Sequence, residues 1–180
     1  MNKLAIALSA ALAIGASFSA SAQSGTITFN GQITATTCDI TWPDNGGLTT
    51  DPVVTLPTVP TTALGSAGAT VGRKAVSLVI GGSDAQCTSG NAAIELNPNR
   101  DANQSNGYLN NAATVDAATE VQIALRDAAD KPIDLATPWR SAEIDLATTK
   151  QIDFAAEYRA TGAATAGNVN ASVGYTIDYK

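Results

Sequence analysis

The chain has 180 residues, with ten Lys and Arg against sixteen Asp and Glu, a formal charge of −6 and no histidine. Without histidine there is no Ser–His or Cys–His nucleophile pair in its common form, no HExxH zinc site and no His-ligated metal. The basic residues are scattered singly, so they form no patch for nucleic acid or anionic lipid. Composition therefore points to a protein without cofactor, metal or nucleic-acid partner, and away from an enzyme.

The chain opens Met1-Asn2-Lys3, continues with an apolar run over residues 4–18, and reaches Ser19-Ala20-Ser21-Ala22. A basic start, an apolar stretch of about 15 residues and small residues at the last and third-last positions are the parts of a secretory signal. The stretch is short for a bilayer span of roughly 20 residues. Residues 1–22 are expected to be removed, with Gln23 the new first residue. Taking 22 residues, Lys3 among them, from 180 leaves 158 and a charge of −7, enough for one domain with its own core. Cys38 and Cys87 both lie in the exported part, where an oxidising compartment favours pairing. A bridge between them would close about fifty residues and contribute on the order of 4 kcal/mol. Their spacing is not that of a CxxC redox pair.

Residues 26–37 alternate Ile27, Phe29, Gly31, Ile33 and Ala35 with polar residues, the pattern of a strand with one buried face. A turn follows at Trp42-Pro43-Asp44-Asn45-Gly46-Gly47. Val53, Val54 and Leu56 form a short apolar piece fenced by Pro52 and Pro57, and residues 57–70 read as a surface connection. Residues 71–80 return to strand chemistry, with Val76, Leu78 and Ile80 on one face. Residues 92–96 form another strand, stopped at Asn97-Pro98-Asn99. The stretch 100–107 is polar, residues 120–126 alternate through Val121, Ile123 and Leu125, and residues 127–132 form a turn. Short runs follow at Ile133 and Leu135, at Pro138-Trp139 and at residues 144–146. Residues 151–159 alternate through Ile152, Phe154, Ala156 and Tyr158.

A small-residue loop over 161–168 leads to the last twelve residues. There Val169, Ala171, Val173, Tyr175, Ile177 and Tyr179 alternate strictly with polar or small residues. A long apolar-faced strand at this position has no following segment to pair with, so its partners must come from upstream or from another chain. Roughly seven strands, regular turn signals and no helical pattern make an all-β sandwich.

Two chemical candidates are weaker than their bland readings. Asp101, Asn103 and Ser105 stand at positions one, three and five of a possible calcium loop, but Asn106 and Ala112 replace its Gly and Glu, leaving an ordinary polar loop. Glu95, Glu120, Glu143 and Glu157 could supply a carboxylate pair for an acid-only glycosidase, but charged residues on strands usually face outward.

Two pieces of sequence resemble the subunits of chaperone–usher fimbriae, especially type 1-like major pilins. One is Gly25-Thr26-Ile27-Thr28-Phe29-Asn30-Gly31 followed by Cys38. The other is Tyr158-Arg159-Ala160-Thr161-Gly162 leading to Tyr175 and Tyr179. The resemblance implies an immunoglobulin-like sandwich that lacks its C-terminal seventh strand, completed by a donor strand from another subunit. On that pattern residues 1–22 are the signal, 23–33 a donor-strand extension and 34–180 the pilin domain. Gln23, Gly25, Ile27, Phe29 and Gly31 match the donor positions, with Gly25 where the groove is tight. Only Gln23 and Ser24 precede Gly25, a shorter extension than in many relatives, which puts the new first residue at the first pocket. Full burial of Ile27 and Phe29 would contribute about 1.5–3 kcal/mol each.

Cys38 and Cys87 match the disulfide joining the first two strands. Val173, Tyr175, Ile177 and Tyr179 match the acceptor strand, and Tyr179 with the Lys180 carboxylate matches the terminus that the chaperone recognises. The implied partners are neighbouring subunits in a homopolymer, a periplasmic chaperone and an outer-membrane usher. The implied destination is a cell-surface fimbria, reached through the periplasm. The alternative is a secreted carbohydrate-binding sandwich, which would display an exposed aromatic row with Trp42 and Trp139 as its strong candidates.

Overall fold

A computed structural model describes residues 38–44, 47–82 and 87–180. The expected signal segment, the strand over 26–37 and the donor positions Gln23, Gly25, Ile27, Phe29 and Gly31 lie outside the described residues.

Eleven strands are described: β1 (Ile40–Trp42), β2 (Gly47–Leu48), β3 (Thr70–Ile80), β4 (Asn91–Asn97), β5 (Leu109–Asn110), β6 (Val121–Asp127), β7 (Pro132–Ile133), β8 (Trp139–Arg140), β9 (Ile144–Asp145), β10 (Gln151–Ala160) and β11 (Gly174–Tyr179). They form two antiparallel sheets. The larger runs β2-β1-β3-β10-β6-β5, with β7 paired to β6. The smaller runs β11-β4-β8, with β9 paired to β4. The long strands are those with clean period-two alternation in the sequence. The two-residue strands β7, β8 and β9 fall on runs too short to show a period.

The core forms where the alternating faces meet. Val76, Leu78 and Ile80 of β3 are at most 1% exposed, and Ala92, Ile94 and Leu96 of β4 face them from the smaller sheet. β6 departs from simple alternation, because Val121 to Leu125 are buried without a break. Its outer face is covered by the 103–110 loop, where the Asn106 amide donates to Gln122 Oε1 at 3.0 Å and Gln122 donates to Asn110 Oδ1 at 2.8 Å. A buried glutamine is tolerated when its polar atoms are paired in this way.

Three further sequence expectations change. Trp42, read as part of a turn, ends β1 and is 2% exposed, its ring packed edge-on against Phe154 and Tyr175 at 6.3 and 5.4 Å. The 57–70 connection contains a short 3₁₀ turn, Thr61–Leu64, which buries Leu64. Glu157, read as outward-facing, is 6% exposed and accepts from Arg126 Nε at 2.6 Å. That contact lifts the Arg126 guanidinium pKa above its ordinary value. Glu157 lies where the β3–β10 register slips, with Ala156 opposite Lys74 but Tyr158 opposite Val71. Gly72, at φ +74°, absorbs the bulge, and a side chain there would meet the Tyr158 ring at 2.8 Å.

Cys38 and Cys87 are disulfide-bonded, with Cα atoms 5.9 Å apart. The bridge ties the approach to β1 to the turn between β3 and β4, so Cys87 sits beyond β3 instead of within it. Gly81, at φ +74°, packs directly on the bridge, and a Cβ there would meet Cys87 Cβ at 2.3 Å. Its N–H donates to the Asp39 carbonyl at 2.6 Å. Gly81→Ala should therefore cost about 2–3 kcal/mol, from the left-handed backbone and the clash together. Denaturant unfolding with the disulfide intact measures this, and an unchanged midpoint would show that the bridge can shift to make room.

Candidate functional site

The last strand defines the site through the parity of its hydrogen bonds. Lys180 and Asn91 exchange both backbone bonds at 2.8 Å. Bonded and non-bonded pairs alternate along an antiparallel ladder. Asp178–Ala93, Thr176–Glu95 and Gly174–Asn97 are therefore bonded pairs, while Tyr175, Ile177 and Tyr179 turn their N–H and C=O groups away from β4.

The parity continues upstream of β11. Asn168 donates to the Asp116 carbonyl at 2.6 Å, Asn170 to Asn111 Oδ1 at 2.9 Å and Ser172 to Asp101 Oδ2 at 2.9 Å. From 168 to 180 the even residues are tied on one edge. Val169, Ala171, Val173, Tyr175, Ile177 and Tyr179 present their backbone to the other edge, where β11 has no strand partner among the described residues. The same six odd residues turn their side chains inward, and burial alternates between half-buried and exposed from 169 to 178. An inward face that stays only half-buried belongs to a wall standing beside an incomplete core.

Beside it runs a groove of about 1570 Å³. Its far wall is β1 with the extended residues 49–56, and Val54 and Leu56 there pack on the core edge. Its floor is the core itself, including Val76, Leu96, Ile123 and Leu125. Trp42 joins the two walls through its contact with Tyr175, whose hydroxyl donates to the Thr50 carbonyl at 2.8 Å. Two acidic residues, Asp39 and Asp51, line the groove, and the ion-paired groups stand outside it. On the outer face of the smaller sheet Arg140 bonds Asp178 at 2.7 Å and Glu143 at 3.3 Å, and Lys180 also pairs with Glu143. Hydrogen bonding from Lys180, with the nearby Arg140 charge, lowers the Glu143 pKa below its ordinary value.

Of the residues expected at the acceptor strand, Val173, Tyr175, Ile177 and Tyr179 all line the groove, and Lys180 continues the ladder outside it. Val169 and Ala171 extend the same wall; their place in the period-two pattern was the signal for them. Nothing in the sequence marked the floor and the far wall as one surface, because their residues come from β1 to β6, β10 and an unpaired stretch. The four carboxylates proposed for a glycosidase do not converge. Glu157 is spent on Arg126, Glu120 accepts from Thr161, Glu143 joins the outer cluster, and Glu95 stands on β4 opposite Thr176. Asp101 of the supposed calcium loop is 6% exposed and engaged by Ser172. Trp42 is buried and Trp139 packs on the core, so the two do not make an exposed aromatic row.

An all-β sandwich with an open, strand-shaped groove into its core has room and backbone edge for an added strand. A model of the fimbrial protein family matches residues 27–180. The major fimbrial subunit SMF-1 of Stenotrophomonas maltophilia (strain K279a) is 37% identical, over 91% of this chain and 97% of that protein. The F17 fimbrial protein of Escherichia coli is 34% identical over 94% of each. The crystal structure of the P pilus rod subunit PapA matches the fold with a TM-score of 0.54, at 14% identity, over 87% of this chain and all of that one. The chain belongs to the fimbrial protein family, and is a structural subunit of a cell-surface pilus, not an enzyme.

Burial raises the pKa of three groove tyrosines, Tyr158, Tyr175 and Tyr179, above their ordinary value, with Trp42 offsetting part of the effect at Tyr175. A tyrosine pKa raised by folding contributes stability that is intact below about pH 10 and lost as pH climbs through the folded value. The melting temperature should therefore stay flat up to about pH 10 and fall above it. The fall should be shallower when all three are changed to Phe. Equal slopes for the two proteins would remove the tyrosines as its cause.

Proposed function

We propose that the groove is filled by residues 23–33 of a neighbouring copy, so that the chain polymerises by donor-strand exchange. Six residues, Val169 to Tyr179 by twos, offer an apolar face along the groove and backbone groups with no partner among the described residues, and this is the observation that carries the proposal. Strand addition uses both, as chaperone–pilin complementation is known to do: backbone bonds give affinity, and alternate side chains in pockets give register. Residues 23–33 span as many positions as 169–179, about 35 Å at roughly 3.4 Å per residue. Gly25, Ile27, Phe29 and Gly31 alternate at the pitch such a wall reads, and Gln23 falls at the end of the donor.

On this proposal residues 1–22 direct export, 23–33 are the donor and 34–180 form the accepting domain. A periplasmic chaperone covers the groove first, and an outer-membrane usher exchanges that cover for the next subunit's donor. Tyr179, which lines the groove together with Cys38 and Ile40, and Lys180 just outside it are the positions such a chaperone would grip.

Removing residues 23–33 should abolish polymerisation and leave a poorly stable subunit, and a peptide of that sequence should restore a cooperative melt in a saturable manner. A truncated subunit that is stable, monomeric and indifferent to the peptide would refute strand exchange. Tyr179→Ala should lower the amount of chaperone-bound subunit recovered from the periplasm; unchanged recovery would remove Tyr179 from the recognised set.

A further inference from the structure

The two halves of the groove wall are held by different means. From Gly174 onward the even residues are bonded to β4. β4 ends at Asn97, one residue before Pro98. Upstream of Gly174 the wall is therefore without a strand partner on its outer edge, yet its alternation does not change.

Backbone bonds secure Asn168, to Asp116 and Ala118, and the Asn170 carbonyl, which accepts from the Ala112 N–H at 2.7 Å, and two side chains close the rest of that edge. Asn111 Oδ1 accepts from the N–H of Asn170 at 2.9 Å and of Ala113 at 3.0 Å. Its Nδ2 donates to the carbonyls of Asn168 at 2.9 Å and Ala118 at 2.8 Å. That uses the two donors of the amide and both acceptor positions on its oxygen. The Asp101 carboxylate, 6% exposed, accepts from the Ser172 N–H at 2.9 Å and hydroxyl at 2.6 Å. The Asn99 amide donates to the same hydroxyl at 3.0 Å.

We infer that Asn111 and Asp101 are positioning residues for strand acceptance. They stand in for the missing β-partner and hold Val169, Ala171 and Val173 extended, in the register that an incoming strand reads. A wall already extended spares the donor the entropy of ordering it. This inference rests on the groove being a strand-accepting site.

The test is residue-resolved amide exchange on fibres assembled from the full chain. If the groove takes a donor, the amides of the odd residues from 169 to 179 are protected in wild-type fibres; exchange as fast as in an open chain would refute the groove proposal itself. With that protection present, Asn111→Ala should speed exchange at 169, 171 and 173 by about tenfold or more, the effect of a lost hydrogen-bond set, and leave 175, 177 and 179 within about twofold. Asp101→Asn should act the same way, centred on 171 and 173. Asn97→Ala serves as the control. It removes a side-chain bond to Thr176 (3.0 Å) from the half held by the ladder, and should leave both halves protected. Should Asn111→Ala fail to assemble, Asn111→Asp, which keeps the acceptor and loses both donors, carries the same comparison. Uniform loss across all six odd residues, or none, would overturn the positioning role while leaving the groove proposal intact.

Discussion

The β4–β11 ladder is the interaction on which the groove depends. It bonds the even residues of the last strand and leaves the odd ones facing away, so one set of residues acquires both a free backbone edge and an apolar face. Had the register slipped by one residue, the tyrosines and Ile177 would point to solvent, and the polar residues would face the core. Register, groove and core are thus fixed together.

A free edge beside an exposed core is a hazard that most sheets avoid with charges, bulges or short strands. Here the ion-paired charges stand one layer out. Arg140, Asp178, Glu143 and Lys180 are clustered on the outer face of the smaller sheet, where they hold β11 against β4 and β8 without entering the groove. The far wall is short of regular pairing: β1 has three residues, and 49–56 continue it without a strand partner. Trp42 bridges the walls, and the Cys38–Cys87 bond anchors the chain entering β1. The groove is therefore built from rigid parts on one side and a tethered segment on the other, suitable for a partner that arrives as an extended chain.

The membership in a family of structural pilus subunits agrees with a site that contains no reactive group. Glu157, Glu120 and Glu143 are spent in ion pairs or hydrogen bonds, and the groove's aromatic rings are packed into its walls. What the groove offers is geometry: length, alternation and backbone groups with no partner among the described residues. Those are the properties that polymerisation by strand addition uses.

The local pattern determined the long strands, the inward faces of β3, β4, β10 and β11, and the unusual position of the last strand, because period-two burial is written directly in residue order. Two cysteines in an exported chain pointed to the disulfide, and the family resemblance supplied the acceptor strand. Tertiary structure alone decided the rest. Trp42 became a buried bridge because β1 is placed against β3 and opposite Tyr175, a pairing no local signal encodes. Glu157 became an internal partner because a bulge at Gly72 and the position of Arg126 enclose it. Asp101 read as a loop residue and nothing in the sequence singled out Asn111, and only the end of β4 at Asn97 leaves the edge that they help to close. Sequence carries the faces of strands; which edge is left open, and what closes it, follows from how distant segments pack.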